Sequence, residues 1–375
     1  MAPSARLGAA LPGLLACVIV AAAARVVGAT LQLGLETAVA LALGLAVGSA
    51  APVRAVLLAG AAPAARFALR VGITLLGARL TLGQLIETGG ASVVAIVAVV
   101  AVGLLLGTAL ARRFGVRPPL SALITVGMAI CGNSAILALA PIVRAPHRET
   151  AYAVSTITIF GLVGVLLLPV LGAALGLPDA VFGTWAGLAV NDTAQVVATG
   201  YAFSPPAGDV ATVVKLTRNL AILPVLLGAT WLAVRVAREQ GERQDDGDTG
   251  AVAGASIGLV ARAVPWFVIG FIVFAALRTA GMLDGAAPTG GTLADLASTA
   301  ATLLILVALA GVGISTDIRA MVGVGAGPFL LGAVMWIVMG LLALALSMVV
   351  AGSSGIGAGA AGAAGPHLPA VYHGG

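Results

Sequence analysis

The chain has 375 residues, 60% of them hydrophobic and only 9% charged, with a mean hydropathy of +1.13. Soluble chains carry about 25% charged residues, so this composition excludes an ordinary soluble protein and places most of the chain in a bilayer. The formal charge of +5 does not indicate a nucleic-acid partner, because the arginines are scattered instead of clustered with aromatics.

A membrane-crossing helix needs about 20 apolar residues, and about eleven such runs occur, centred near residues 18, 42, 77, 101, 131, 161, 193, 221, 270, 304 and 338. They predict an all-α polytopic membrane protein with about 10–11 transmembrane helices in a single domain over residues 1–350. The first run follows Arg6 and ends near Ala21 to Ala24. It resembles a signal peptide but fits an uncleaved first span better. Counting loops alternately, one side receives Arg6, then Arg54, Arg66 and Arg70, then Arg112, Arg113 and Arg117. That side also receives Arg235, Arg238, Arg243, Arg262 and Arg319, and the other only Arg25, Arg144, Arg148 and Arg278. The positive-inside rule then makes the N-terminus cytoplasmic and the C-terminus external. Arg144 and Arg148 break the pattern, which hints that the segment before them re-enters.

The third run carries Gly77-Ala78-Arg79, which echoes Gly313 to Asp317 in the tenth. Arg79 and Asp317 are therefore added as candidate substrate contacts. Their plainer readings are a snorkelling arginine and a solvated acid at a helix end. Near residue 131 the apolar run is broken by Cys131-Gly132-Asn133-Ser134. Gly132 frees the backbone, and Asn133 and Ser134 can bind a ligand or cap a half-helix. The plainer reading is small-residue helix packing.

Near residue 193 the interruption is Asn191-Asp192-Thr193, with Gln195 following. Consecutive polar residues cannot share one helix face. An unwound turn would present a half-helix N-terminus, whose partial positive charge suits an anion. Asp192 would be a cation ligand, a proton carrier or a counter-ion. Lys215, Arg218 and Asn219 follow on one helical face, and Lys215 is the only lysine among 19 Lys and Arg residues. They read as an anion-attracting pair with a polar neighbour, or as a neutralising pair for Asp192. Pro169 and Pro224 should bend their helices, and Asp295 should cap its own.

Arg238 to Ser256 is a polar cytoplasmic linker, and residues 351–375 form a Gly/Ala-rich tail. Cys17 and Cys131 imply no disulfide framework. His147, His367 and His373 lie outside the runs, so no metal site, cofactor or enzyme is expected. No GxxxxGK[ST] motif occurs, which leaves transport driven by an ion gradient or by exchange. A passive channel is the remaining alternative. A shift of 60 residues lays Gly127 on Gly187 and Cys131-Gly132-Asn133 on Asn191-Asp192-Thr193. The echo between Gly77 and Gly313, seven crossings apart, would point in opposite directions, and inverted repeats with interrupted helices are a common plan of secondary transporters.

Gly77-Ala-Arg79-Leu, Cys131-Gly132-Asn133-Ser134-Ala135, Asn191-Asp192-Thr193-Ala-Gln195-Val, Lys215-Leu-Thr-Arg218-Asn219 and Gly313-Ile-Ser-Thr-Asp317-Ile together resemble the YeiH family of bacterial inner-membrane proteins. The resemblance covers residues from about 10 to about 348. The family's customary label is sulfate exporter, and it implies a transporter more firmly than it implies sulfate. By similarity to the sodium/proton antiporter and bile-acid symporter group, it implies crossed, interrupted helices. The expected partners are a small anion, a coupled proton or sodium ion and the lipid bilayer. A homodimer is compatible with this reading, and nucleic acid is not expected. The rival expectation is a cation/proton antiporter using Asp192 and Lys215.

Overall fold

A computed structural model describes residues 3–31, 36–239, 266–288, 290–316 and 326–354. Their regular structure is helical, with one isolated antiparallel bridge between Ala286 and Thr292. In chain order the helices are α1 (Pro3–Leu31), α2 (Glu36–Gly48), α3 (Ala51–Leu76), α4 (Leu82–Arg113), α5 (Leu120–Ala129), α6 (Asn133–Ile142) and α7 (His147–Ala174). There follow α8 (Asp179–Ala189), α9 (Thr193–Phe203), α10 (Pro205–Asn219), α11 (Ile222–Glu239), α12 (Trp266–Thr279), α13 (Leu293–Ser315) and α14 (Ala326–Ser354). Among the described residues, seven stretches are long and apolar enough to cross a membrane: those of α1, α3, α4, α7, α10 with α11, α13 and α14. The chain is thus an all-α polytopic membrane protein. The runs near 131 and 193 are each divided into two short helices, and those near 42 and 270 form the short helices α2 and α12, so fewer long spans occur than apolar runs.

The third run is placed differently from its hydropathy centre. α3 ends at Leu76, and Gly77–Arg79 forms a 3-10 turn. Arg66 and Arg70 consequently lie inside α3 and not in a loop. Asp295 caps α13 as expected, in a reciprocal capping box with Thr292. Pro169 lies inside α7, and Pro224 falls in the first turn of α11, where a missing N–H costs little.

The helices form two groups. α1, α2, α3, α12 and α13 pack together, and α4 to α11 pack with α14. In the first group backbones approach very closely: a Cβ added at Gly13 would lie 2.1 Å from the Leu57 carbonyl oxygen. Such small-residue contacts replace the hydrophobic drive that lipid cannot supply. The groups meet over an apolar surface where Leu41, Ile73 and Phe271 share a buried cluster with Val197, Val213 and Leu216.

Neighbouring residues fix the helix directions. α7 provides a ruler, from a first face at His147 to a second face at Ala174. α5 runs antiparallel to α4, with Thr125 beside Gly107 and Ala129 beside Gly103. α6 then folds back, placing Ile136 beside Gly127. Together α5 and α6 form a re-entrant hairpin that enters and leaves at the first face. α8 descends from the second face, with Phe182 beside Gly172 and Val190 beside Gly164. α9 returns: Phe203 stacks on Phe182 with ring centroids 4.0 Å apart, and Ser204 Oγ donates to Asp179 Oδ1 at 2.5 Å. α8 and α9 are therefore a second re-entrant hairpin, open to the opposite face.

Candidate functional site

The two hairpin tips meet beside the middle of α7. A Cβ at Gly132 would lie 3.3 Å from the carbonyl carbon and oxygen of Asn191 and 3.3 Å from Ile157. Gly132 has φ 62° and ψ −125°, a conformation open to glycine and strained for other residues. At each tip a helix ends and another begins. Four classes of backbone group are left over there: N–H groups of α6 and α9, and carbonyls of α5 and α8.

Lys215 and Arg218, on α10, satisfy the carbonyls. Lys215 Nζ donates to Ile130 O and to Val190 O, each at 3.1 Å. Arg218 Nη1 donates to Leu188 O at 2.6 Å and Val190 O at 3.3 Å. Its Nη2 donates to Met128 O at 3.0 Å and to Asn191 Oδ1 at 3.3 Å. The two cations thus clamp both hairpins from behind and are 0% and 1% exposed. Neither forms a salt bridge to Asp192 within 4 Å. Their direct bonds run to the orphaned carbonyls and Asn191 Oδ1, so any neutralisation of Asp192 by these cations acts across a longer distance than a salt bridge.

Asp192 instead caps α9, with Oδ1 accepting from Ala194 N at 2.9 Å. Its Oδ2 accepts from Asn133 Nδ2 at 3.5 Å, a weak link between the tips. Asn191 is buried, and its Nδ2 lies 3.0 Å from Met128 Sδ. Gln195 Nε2 donates to Thr158 O at 3.1 Å, tying the second hairpin to α7. Asn133 Oδ1, Gln195 Oε1 and Arg218 Nε are buried without a partner. Asn133, Asp192 and Thr193 stay half-exposed and Ser134 exposed, at the very point where the surrounding residues are buried.

Gly132, Asn133, Asn191, Asp192, Lys215 and Arg218 are therefore joined at one place, with Ser134, Thr193 and Gln195 on the same first turns. Asn219 ends α10 with its Oδ1 buried and unpartnered. Arg79 does not reach the tips. It lies between the helix groups, 3.6 Å from Asp209 Oδ1 and 3.4 Å from the Tyr201 hydroxyl. Asp317 lies outside the described residues. Sequence reasoning missed Asp209 and Tyr201; the available signal was an acid two turns before Lys215.

Fold and site define a polytopic helical membrane protein with two opposed re-entrant hairpins and a polar junction beside the middle of α7. A family model described as "Conserved hypothetical protein 698" matches residues 12–332. A UPF0324 membrane protein of Clostridium tetani is 33% identical over 282 residues, covering 75% of this chain and 79% of its own. One from Streptococcus agalactiae is 32% identical over 345 residues, 90% of this chain and 96% of its own. One from Geobacter sulfurreducens is 34% identical over 276 residues, covering 74% and 80%. The chain belongs to this UPF0324 family of membrane proteins, in keeping with the YeiH resemblance. No solved structure matches it.

Proposed function

We propose that the chain is a secondary active transporter, not an enzyme, that moves a small anion by alternating access. The observation that carries this reading is the hairpin junction. The N-termini of α6 and α9 converge there on half-exposed Asn133, Thr193 and Asp192 and exposed Ser134. Each helix N-terminus carries roughly +0.5 charge and each C-terminus roughly −0.5. The two starting and two ending half-helices therefore offset one another. Lys215 and Arg218 bond to neutral oxygens, which occupies most of their donors without cancelling their charge. Against Asp192 alone, the local balance stays positive.

The customary label of the YeiH family makes an oxyanion such as sulfate the first class to screen, with export as its direction. The units α5–α7 and α8–α10 each pair a hairpin with a following helix, in opposite senses. We read them as an inverted repeat, supported by the 60-residue shift that overlays Gly132 on Asp192. Re-entry also removes the charge anomaly. With Arg144 and Arg148 at the first face beside Arg112, Arg113 and Arg117, the positive-inside rule supports a cytoplasmic first face, and we place the N-terminus inside, in a bacterial inner membrane.

The purified protein should be stabilised against thermal unfolding by at least one of sulfate, sulfite, thiosulfate, small sulfonates or carboxylates, and should show saturable counterflow of it in proteoliposomes. Stabilisation by none of them, or flux that never saturates, would sink the anion carrier. A cation/proton antiporter is the second reading, favoured by the unpartnered Asn133 Oδ1 beside the Asp192 carboxylate. Asp192→Asn separates the two. Asparagine caps helices as well as aspartate does, so melting should shift little. An anion carrier should retain anion stabilisation in this variant. Complete loss of ion coupling with no anion effect would favour the antiporter.

A further inference from the structure

We propose that Arg79, Asp209 and Tyr201 form a latch between the two helix groups that closes the path from the hairpin tips to the second face; as a gate, it rests on the alternating-access reading. Arg79 is held from its own side by α13. Its Nε donates to Ser298 Oγ at 2.6 Å, and its Nη2 donates to Thr302 Oγ1 at 2.8 Å and to Ser298 O at 3.4 Å. Only Nη1 reaches across. It faces the Tyr201 hydroxyl at 3.4 Å and Asp209 Oδ1 at 3.6 Å, with the guanidinium 5.5 Å from the Tyr201 ring centre. The Tyr201 hydroxyl in turn donates to Asp209 Oδ1.

This division of labour suits a contact that opens and closes. When Nη1 lets go, Arg79 keeps its α13 partners and Asp209 keeps Tyr201, so no buried group is orphaned. The side chains of Arg79 and Asp209 are 18% and 20% exposed, so water can replace the lost contact. Elsewhere the interface is mostly apolar, with Ile73 and Phe271 against Val197 and Val213, apart from the Leu82 N–H at the start of α4, which donates to Thr279 Oγ1 at 2.8 Å. Apolar contact is non-directional and fixes no register; the charged, directional contact does. Its position fits a gate. Asp209 precedes Lys215 by six residues on α10, roughly 9 Å at 1.5 Å per residue. Tyr201 follows Thr193 by eight residues on α9, roughly 12 Å. Both lie between the tips and the second face.

The test is the rate at which a membrane-impermeant maleimide, applied at the second face, labels Thr193→Cys in a background lacking Cys17 and Cys131. Asp209→Asn and Arg79→Gln should each raise that rate several-fold, and Tyr201→Phe by a smaller factor. The reversed pair Arg79→Glu with Asp209→Arg should return it toward the starting value. Unchanged rates in single variants with normal melting would overturn the latch, as would a reversed pair more open than either single variant. Should Arg79→Gln or Asp209→Asn fail to fold, an unchanged rate in Tyr201→Phe overturns it instead. Labelling requires no transport. Accelerated labelling in a protein that carries no anion would leave the latch standing and remove the transporter reading.

Discussion

Arg218→Met should be the most destabilising single substitution at the hairpin junction. The guanidinium serves Leu188 O, Val190 O, Met128 O and Asn191 Oδ1. Val190 O keeps Lys215 as a donor, so three oxygens lose a partner. A buried polar group left unpaired costs about 1–3 kcal/mol, so the loss should reach about 3 kcal/mol or more. For a protein of this size that corresponds to a melting temperature lower by roughly 4 °C or more. Arg218→Lys should fall between, because one ammonium cannot serve all four of the oxygens that the planar fork reaches. Arg66→Gln, on the exposed side of α3, is the control and should change little. Thermal unfolding in detergent decides. If Arg218→Met melts like the control, the cation does not hold the tips together, and its charge must serve a ligand directly.

The sequence made the interruptions legible and left their geometry hidden. Asn191-Asp192-Thr193 and Cys131-Gly132-Asn133 stand out because polar or unconstrained residues at depth are costly unless a local break satisfies them. Hydropathy, however, adds up residues without regard to direction. Two ten-residue helices doubling back at Gly132 score like one helix crossing the bilayer. Only Arg144 and Arg148, on the wrong side of the charge pattern, carried the missing information. The roles of Lys215 and Arg218 were half legible. A buried cation announces that it needs acceptors, but not whether these are a carboxylate or carbonyls orphaned by a helix end. Arg79 was found through its echo of the Gly313 region, yet its partners were not. Asp209 lies early in its apolar run, where an acid passes for an interfacial residue, and Tyr201 carries no charge. Both acquire meaning only when α9 turns back to run beside α10.

Gly132→Ala should separate effects on the site from effects on the clamp. The residue's φ of 62° with ψ of −125° lies where a side chain costs about 1–3 kcal/mol. Its new Cβ would also press at 3.3 Å on the Asn191 carbonyl, a main-chain group that cannot rotate aside. The tips must then part by a few tenths of an ångström or Gly132 must change conformation. Either movement lengthens the Asn133 to Asp192 contact, already 3.5 Å. The Arg218 bond to Asn191 Oδ1 shares the pressed residue, but the Lys215 and Arg218 bonds to the carbonyls of Met128, Ile130, Leu188 and Val190 do not run to Asn191 and should survive. The expected result is a modest fall in melting temperature with anion stabilisation and counterflow reduced at least tenfold, the larger loss because a displacement of this kind reaches every group at the site. Gly176→Ala provides the comparison: it also has positive φ, at 61°, but no atom within 4 Å of an added Cβ. It should pay the strain without touching the junction. Equal transport in both variants would mean that the meeting of the two tips does not build the binding site.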